Sequence, residues 1–135
     1  MKRHPALVPF SDDHHRALVL ARRLRRDAVD AELAREVQRA FAAELEPHFR
    51  AEELRLLPAL AAQGCAALVE RTERDHAQLR ELVRGAWSEE TARALGALLD
   101  EHVRFEERVL FPEAEQRLSE AELAAVRDAL PRAAR

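Results

Sequence analysis

Tyrosine is absent from this 135-residue chain, and cysteine, methionine and tryptophan occur once each. One cysteine, Cys65, excludes an internal disulfide and any thiolate metal site, and it fits a reducing compartment such as the cytoplasm. Only 3 glycines are present, and valine and threonine are too sparse for a sheet. No apolar run is long enough to cross a bilayer. The stretch after Lys2 and Arg3 is short and broken by Pro5 and Pro9, so it does not read as a signal peptide. Charge of one sign is missing too: 22 basic against 25 acidic residues leave a net −3 and no broad field for nucleic acid. The basic run Arg22-Arg23-Leu24-Arg25-Arg26 reads as a solvated last turn of a helix.

What is abundant is Ala, Leu, Arg and Glu, all strong helix formers. The fold class this implies is all-α. Pro5 and Pro9 predict an extended arm over 1–10, with Ser11 capping a first helix that runs to about Asp27. Asp30 caps a second, in which Pro47 should kink or locally open the helix and Pro58 bend or end it, with Gly64 just past its end. A third helix spans about 65–84, and a fourth, capped by Ser88, about 89–112. Ser119 with Glu122 forms a capping box for a short fifth. Long helices with short connections predict an antiparallel up-down four-helix bundle over 11–118, followed by a short C-terminal helix and tail over 119–135.

The chain is internally repeated. Leu45-Glu46-Pro47-His48-Phe49-Arg50-Ala51-Glu52-Glu53 returns as Leu99-Asp100-Glu101-His102-Val103-Arg104-Phe105-Glu106-Glu107. Asp13-His14 on the first helix returns as Asp75-His76 on the third. On a helix, i and i+4 share a face, so His48 with Glu52 and His102 with Glu106 can each aim an imidazole and a carboxylate at one point. All four lie in register with the apolar stripes. Adding His14 and His76 gives four imidazoles and two carboxylates facing the core. Unpaired, each such group would cost roughly 1–3 kcal/mol to bury. A metal offsets that cost, and imidazole with carboxylate suits iron, manganese or zinc. Six ligands exceed what one zinc needs and fit two metals, with the two glutamates bridging.

The order His, His-x-x-x-Glu, His, His-x-x-x-Glu, with its Glu-Glu-x-x-Leu-x-Pro continuations, resembles the hemerythrin-like (HHE cation-binding) family from about residue 11 to 117. The resemblance implies a four-helix bundle holding two non-haem iron ions, oxo- or hydroxo-bridged, with manganese or zinc as substitutes. Its ligands would be His14, His48, Glu52, His76, His102 and Glu106. This set is similar to that of the iron–sulfur-cluster repair proteins and iron sensors. It differs from oxygen-carrying hemerythrins, whose set includes a fifth histidine and an aspartate. The function implied is binding or sensing of O2, NO or peroxide, or iron handling. The alternative is a di-iron enzyme of peroxidase, ferroxidase, NO-reducing or cluster-repair type. A third reading is a metal-stabilised interaction module using the arm or the fifth helix. The expected partner is a small diatomic ligand or peroxide, with no nucleic acid and no membrane; a weak homo-oligomer stays open. His15 competes with His14 for the first ligand position, and His4 lies outside the bundle. Glu53 and Glu107, one step off the ligand face, are expected to salt-bridge arginines rather than to bond a ligand histidine. The five phenylalanines are expected in the core, Trp87 as a plug near a turn, and Cys65 as a small apolar filler.

Overall fold

The computed structural model describes residues 2–131, and every regular element among them is helical. Met1 of the expected arm and residues 132–135 of the expected tail lie outside the described residues. Five helices follow in order: α1 (Val8–Arg26), α2 (31–62), α3 (Ala66–Arg84), α4 (89–117) and α5 (Glu120–Ala129).

Most ends fall where the capping signals put them. Asp30 accepts from the Leu33 N–H, Ser88 from Thr91, and Ser119 and Glu122 form the reciprocal box that opens α5. Gly64, at φ 82°, takes the left-handed conformation that ends α2. The exception is α1. It starts at Val8, not after Ser11, and a 3-10 turn over Pro5–Leu7 precedes it. Both prolines sit in first turns, where the missing N–H costs no hydrogen bond. Ser11 is therefore free to bond Glu107 instead of capping.

The internal prolines neither end nor break α2 and α4. In each case the residue before the proline donates its N–H to the carbonyl five positions back: Glu46 to Phe41, Leu57 to Glu52, Phe111 to Glu106. Each is a single π turn, at 41–45, 52–56 and 106–110. A proline ring clashes with the carbonyl four residues earlier, and a wider turn relieves the clash so the helix continues. Two of these turns begin at Glu52 and Glu106 themselves.

The apolar core forms two clusters. One gathers Leu7, Phe10, Leu56, Leu60, Phe111 and Leu123 beneath α5; the other gathers Leu24, Val37, Phe41, Leu79, Leu95 and Leu99. Along α1, α2 and α4 the buried polar residues fall between residues of the two clusters, and all five phenylalanines are buried. Cys65 is buried and unpaired within the first cluster. Trp87 is half-buried, and its indole N–H donates to the Asp30 carbonyl at 3.1 Å. No helix among the described residues is long and apolar enough to cross a membrane.

Candidate metal centre

Between the two apolar clusters lie His14, His48, Glu52, His76, His102 and Glu106, each at most 3% exposed. Two groups of four form around shared carboxylates: His14, His48, Glu52 and Glu106, then Glu52, His76, His102 and Glu106. Within each group one potential ligand atom per residue lies within 4.8 Å of all the others. Glu52 and Glu106 belong to both. His15, the rival for the first position, is exposed and belongs to neither group. His4 lies elsewhere and bonds Glu120.

Every imidazole is held between two carboxylates. On the inner side, His14 Nε2 lies 2.9 Å from Glu106 Oε1, and His48 Nε2 2.9 Å from Glu52 Oε2. His76 Nε2 is 3.0 Å from Glu52 Oε1, and His102 Nε2 3.2 Å from Glu106 Oε2. On the outer side, each Nδ1–H donates to a carboxylate of a neighbouring helix. His48 donates to Asp13 at 3.0 Å, His76 to Glu53 at 2.7 Å, His102 to Asp75 at 3.1 Å and His14 to Glu107 at 2.6 Å. The outer bonds form a closed ring: α1 holds the histidine of α2, α2 that of α3, α3 that of α4, and α4 that of α1.

For Glu53 and Glu107 the sequence favours salt bridges over bonds to a histidine. They do pair with Arg80 and Arg3, but each also bonds a histidine. One carboxylate has two oxygens and about four acceptor sites, so both roles fit on one side chain. Asp13 and Asp75 carry no outer-partner role in the sequence reading. The signal available was their place one residue before His14 and His76, a rotation of about 100° toward the next helix.

The protonation chemistry decides what the centre can hold. An ionised carboxylate only accepts, and a neutral imidazole has one N–H. With that hydrogen on Nδ1, each inner Nε2 turns a lone pair toward carboxylate oxygens. His76 Nε2, His102 Nε2, Glu52 Oε1 and Glu106 Oε2 are buried without any hydrogen-bond partner. Such an arrangement needs either extra protons or metal cations. Without metal, protons take the place. Burial opposes a charged His76, but the surrounding carboxylates of Glu106, Glu52 and Glu53 outweigh burial and raise its pKa to about 11. His102 is likewise opposed by burial and raised to about 9 by Glu106 and Asp75. His14 and His48 are raised for the same reasons. Glu53, against the effect of its burial, is pulled down to about 2 by His76 and Arg80. The donor set of imidazole and carboxylate, with outer carboxylates fixing each ring, fits transition-metal cations.

The surroundings are apolar and aromatic. Phe49 stacks on His76 at 4.0 Å and Phe111 on His14 at 5.3 Å. A surface cavity of about 390 Å³ lies between α1 and α2, and among the centre's residues it meets only the outer partner Asp13.

The family model for the hemerythrin HHE cation binding domain matches residues 7–113. The chain belongs to this family. Comparison with curated proteins and with solved structures gives no match. Membership agrees with the centre found between the helices: an HHE domain binds cations, and this chain's buried His/Glu groups could hold them.

Proposed function

We propose that this HHE protein is a non-haem di-iron protein that binds or senses O2, NO or peroxide, or handles iron. His14 and His48 would hold one ion and His76 and His102 the other, with Glu52 and Glu106 bridging. The observation that carries this reading is the set of inner Nε2 lone pairs facing carboxylate oxygens, two of those nitrogens and two oxygens having no hydrogen-bond partner. Bound there, a pair of iron ions supplies exchangeable coordination and one-electron chemistry to a small ligand. The chain's own part is to orient each ring through its Nδ1–H, to raise the basicity of each Nε2 through the outer carboxylate, and to exclude water with Phe49 and Phe111.

The bundle reading belongs with it. The apolar residues of α1 run from the Phe10 cluster to the Leu24 cluster, those of α2 run back, and α3 and α4 repeat the alternation. That supports an antiparallel up-down arrangement of the four long helices. The single buried thiol supports a cytoplasmic setting.

The test is anaerobic loading with ferrous iron, followed by metal analysis and optical spectra before and after exposure to oxygen, NO or peroxide. About two irons per chain and a ligand-dependent spectrum are expected. A folded protein that takes up no iron overturns the centre. Sustained turnover of peroxide or NO moves the reading to the enzyme class.

A further inference from the structure

We propose that Arg3 is a positioning residue, which makes residues 2–7 a strap that holds Glu107, and through it His14, at the metal centre. The inference rests on the dinuclear reading above.

The molecule holds two arginine–glutamate–histidine assemblies of the same kind. In one, Arg80 makes paired bonds to Glu53 at 2.8 and 3.0 Å, and Glu53 accepts from His76. The Arg80 guanidinium also lies 5.6 Å from the Phe49 ring, which stacks on His76. In the other, Arg3 bonds the Glu107 carboxylate at 3.2 Å and the Glu107 carbonyl at 2.8 Å, and Glu107 accepts from His14. Its guanidinium lies 5.5 Å from the Phe111 ring, which stacks on His14. The sequence repeat does not produce this likeness. Phe49 follows the histidine of α2, whereas Phe111 lies beyond the glutamates of α4, and the arginines come from unrelated segments.

The difference is in what fixes the arginine. Arg80 stands one turn after His76 on α3, so the helix itself presents it to Glu53. Arg3 stands before α1, and its place depends on the docking of residues 2–7. That docking uses Arg3 to Glu115 at 3.0 Å, the His4 N–H to Glu115 at 2.7 Å, His4 Nε2 to Glu120 at 3.0 Å, and Leu7 buried in the cluster under α5. Lifting such a segment leaves the turn of α3 that carries Arg80 intact. The arginine of the His76 side is therefore held by its own helix, whereas on the His14 side Ser11 of α1 holds one Glu107 oxygen and the other is held by Arg3 only while the strap is docked.

Cobalt(II)-loaded protein tests this without any activity assay. The four ligand histidines give four exchangeable, paramagnetically shifted Nδ1–H resonances; the His14 signal is the one moved by Glu107→Gln. Arg3→Ala should broaden that resonance alone and speed release of one of the two cobalt ions to a chelator about tenfold. Arg3→Lys should restore part of both effects, and Arg80→Ala should act on the His76 resonance instead. Arg3→Ala resonances and release rates equal to the wild type overturn the strap, as does equal acceleration of both ions. A wild-type chain that binds no cobalt overturns the dinuclear centre itself. Two bound ions with an indifferent Arg3→Ala overturn only the strap.

Discussion

His14 and His76 hold equivalent places in the two halves of the molecule, yet their supports are built differently. The α3–α4 half draws its bracing arginine from α3 itself, and the α1–α2 half draws it from a separate segment ahead of α1. The helices differ as well. Both α2 and α4 open a π turn at their inward-facing glutamate, but only α2 has a second, at 41–45, ahead of Pro47. The position matching Pro47 in α4 is Glu101, which tolerates an ordinary turn. Finally, α1 packs closely on α4 through Gly96, whose matching position in α2 is the exposed Ala42. Duplicated chemistry thus does not require duplicated support. What the halves share is the geometry of the inward-facing histidines and glutamates, and each half reaches it with the side chains its neighbours supply.

The largest effect should come from the residues the halves share. Glu52→Ala and Glu106→Ala each remove a carboxylate common to both groups, so each should lower metal affinity by more than the ~100-fold upper range for an outer partner. Metal analysis after desalting should show loss of at least one ion for either variant, and two unchanged ions would remove the bridging role. Next come the outer glutamates. Glu53→Ala and Glu107→Ala should each weaken binding roughly 10–100-fold, each on a different ion, as seen by competitive titration. If both weaken the same ion, the division into halves fails.

A third prediction separates the metal-free from the loaded protein by pH. In the metal-free protein the folded pKa values of His76 and His102 lie above the ordinary 6.5, at about 11 and about 9. A raised histidine stabilises fully below its unfolded pKa and loses that contribution as pH rises through the folded value. The metal-free melting temperature should therefore fall between pH 7 and pH 11, first as His102 deprotonates and then as His76 does. The loaded protein should behave oppositely, losing metal as acid protonates the ligands, and loading at pH 7 should release protons. A metal-free melting temperature flat across that range would remove the imidazolium reading.

The smallest effect tests the packing difference. A Cβ at Gly96 would lie 2.8 Å from the Ala21 carbonyl oxygen and 3.0 Å from Leu24 Cβ. Backbone cannot yield as a side-chain tip can, so Gly96→Ala should cost roughly 1–3 kcal/mol in denaturant unfolding. Ala42→Gly, at the matching exposed site, should cost only about 1 kcal/mol through helix propensity. Equal costs would show that the α1–α4 approach is not special.

Along one helix, chemistry and spacing were readable from the sequence. His48 with Glu52 and His102 with Glu106 follow from the i+4 rule and from their register with the apolar stripe, because both depend only on residues a turn apart. The helix starts at Asp30, Ser88 and Ser119 were readable for the same local reason. The start of α1 was not, because Ser11 suits an N-cap equally well until Glu107 of a distant helix claims its hydroxyl. The prolines gave a local warning of disturbance, but whether a helix ends or widens depends on the packing that holds both sides in line. Which residue braces which histidine lay beyond the sequence altogether. Asp13 faces His48 and Arg3 reaches Glu107 across 35 and 104 positions, and those pairings exist only once the order of helices around the centre is set. Local spacing determined five of the six inward-facing side chains; tertiary structure alone chose His14 over His15 and decided the ring of carboxylates and arginines around them, because hydrogen bonds between helices depend on which helices are neighbours.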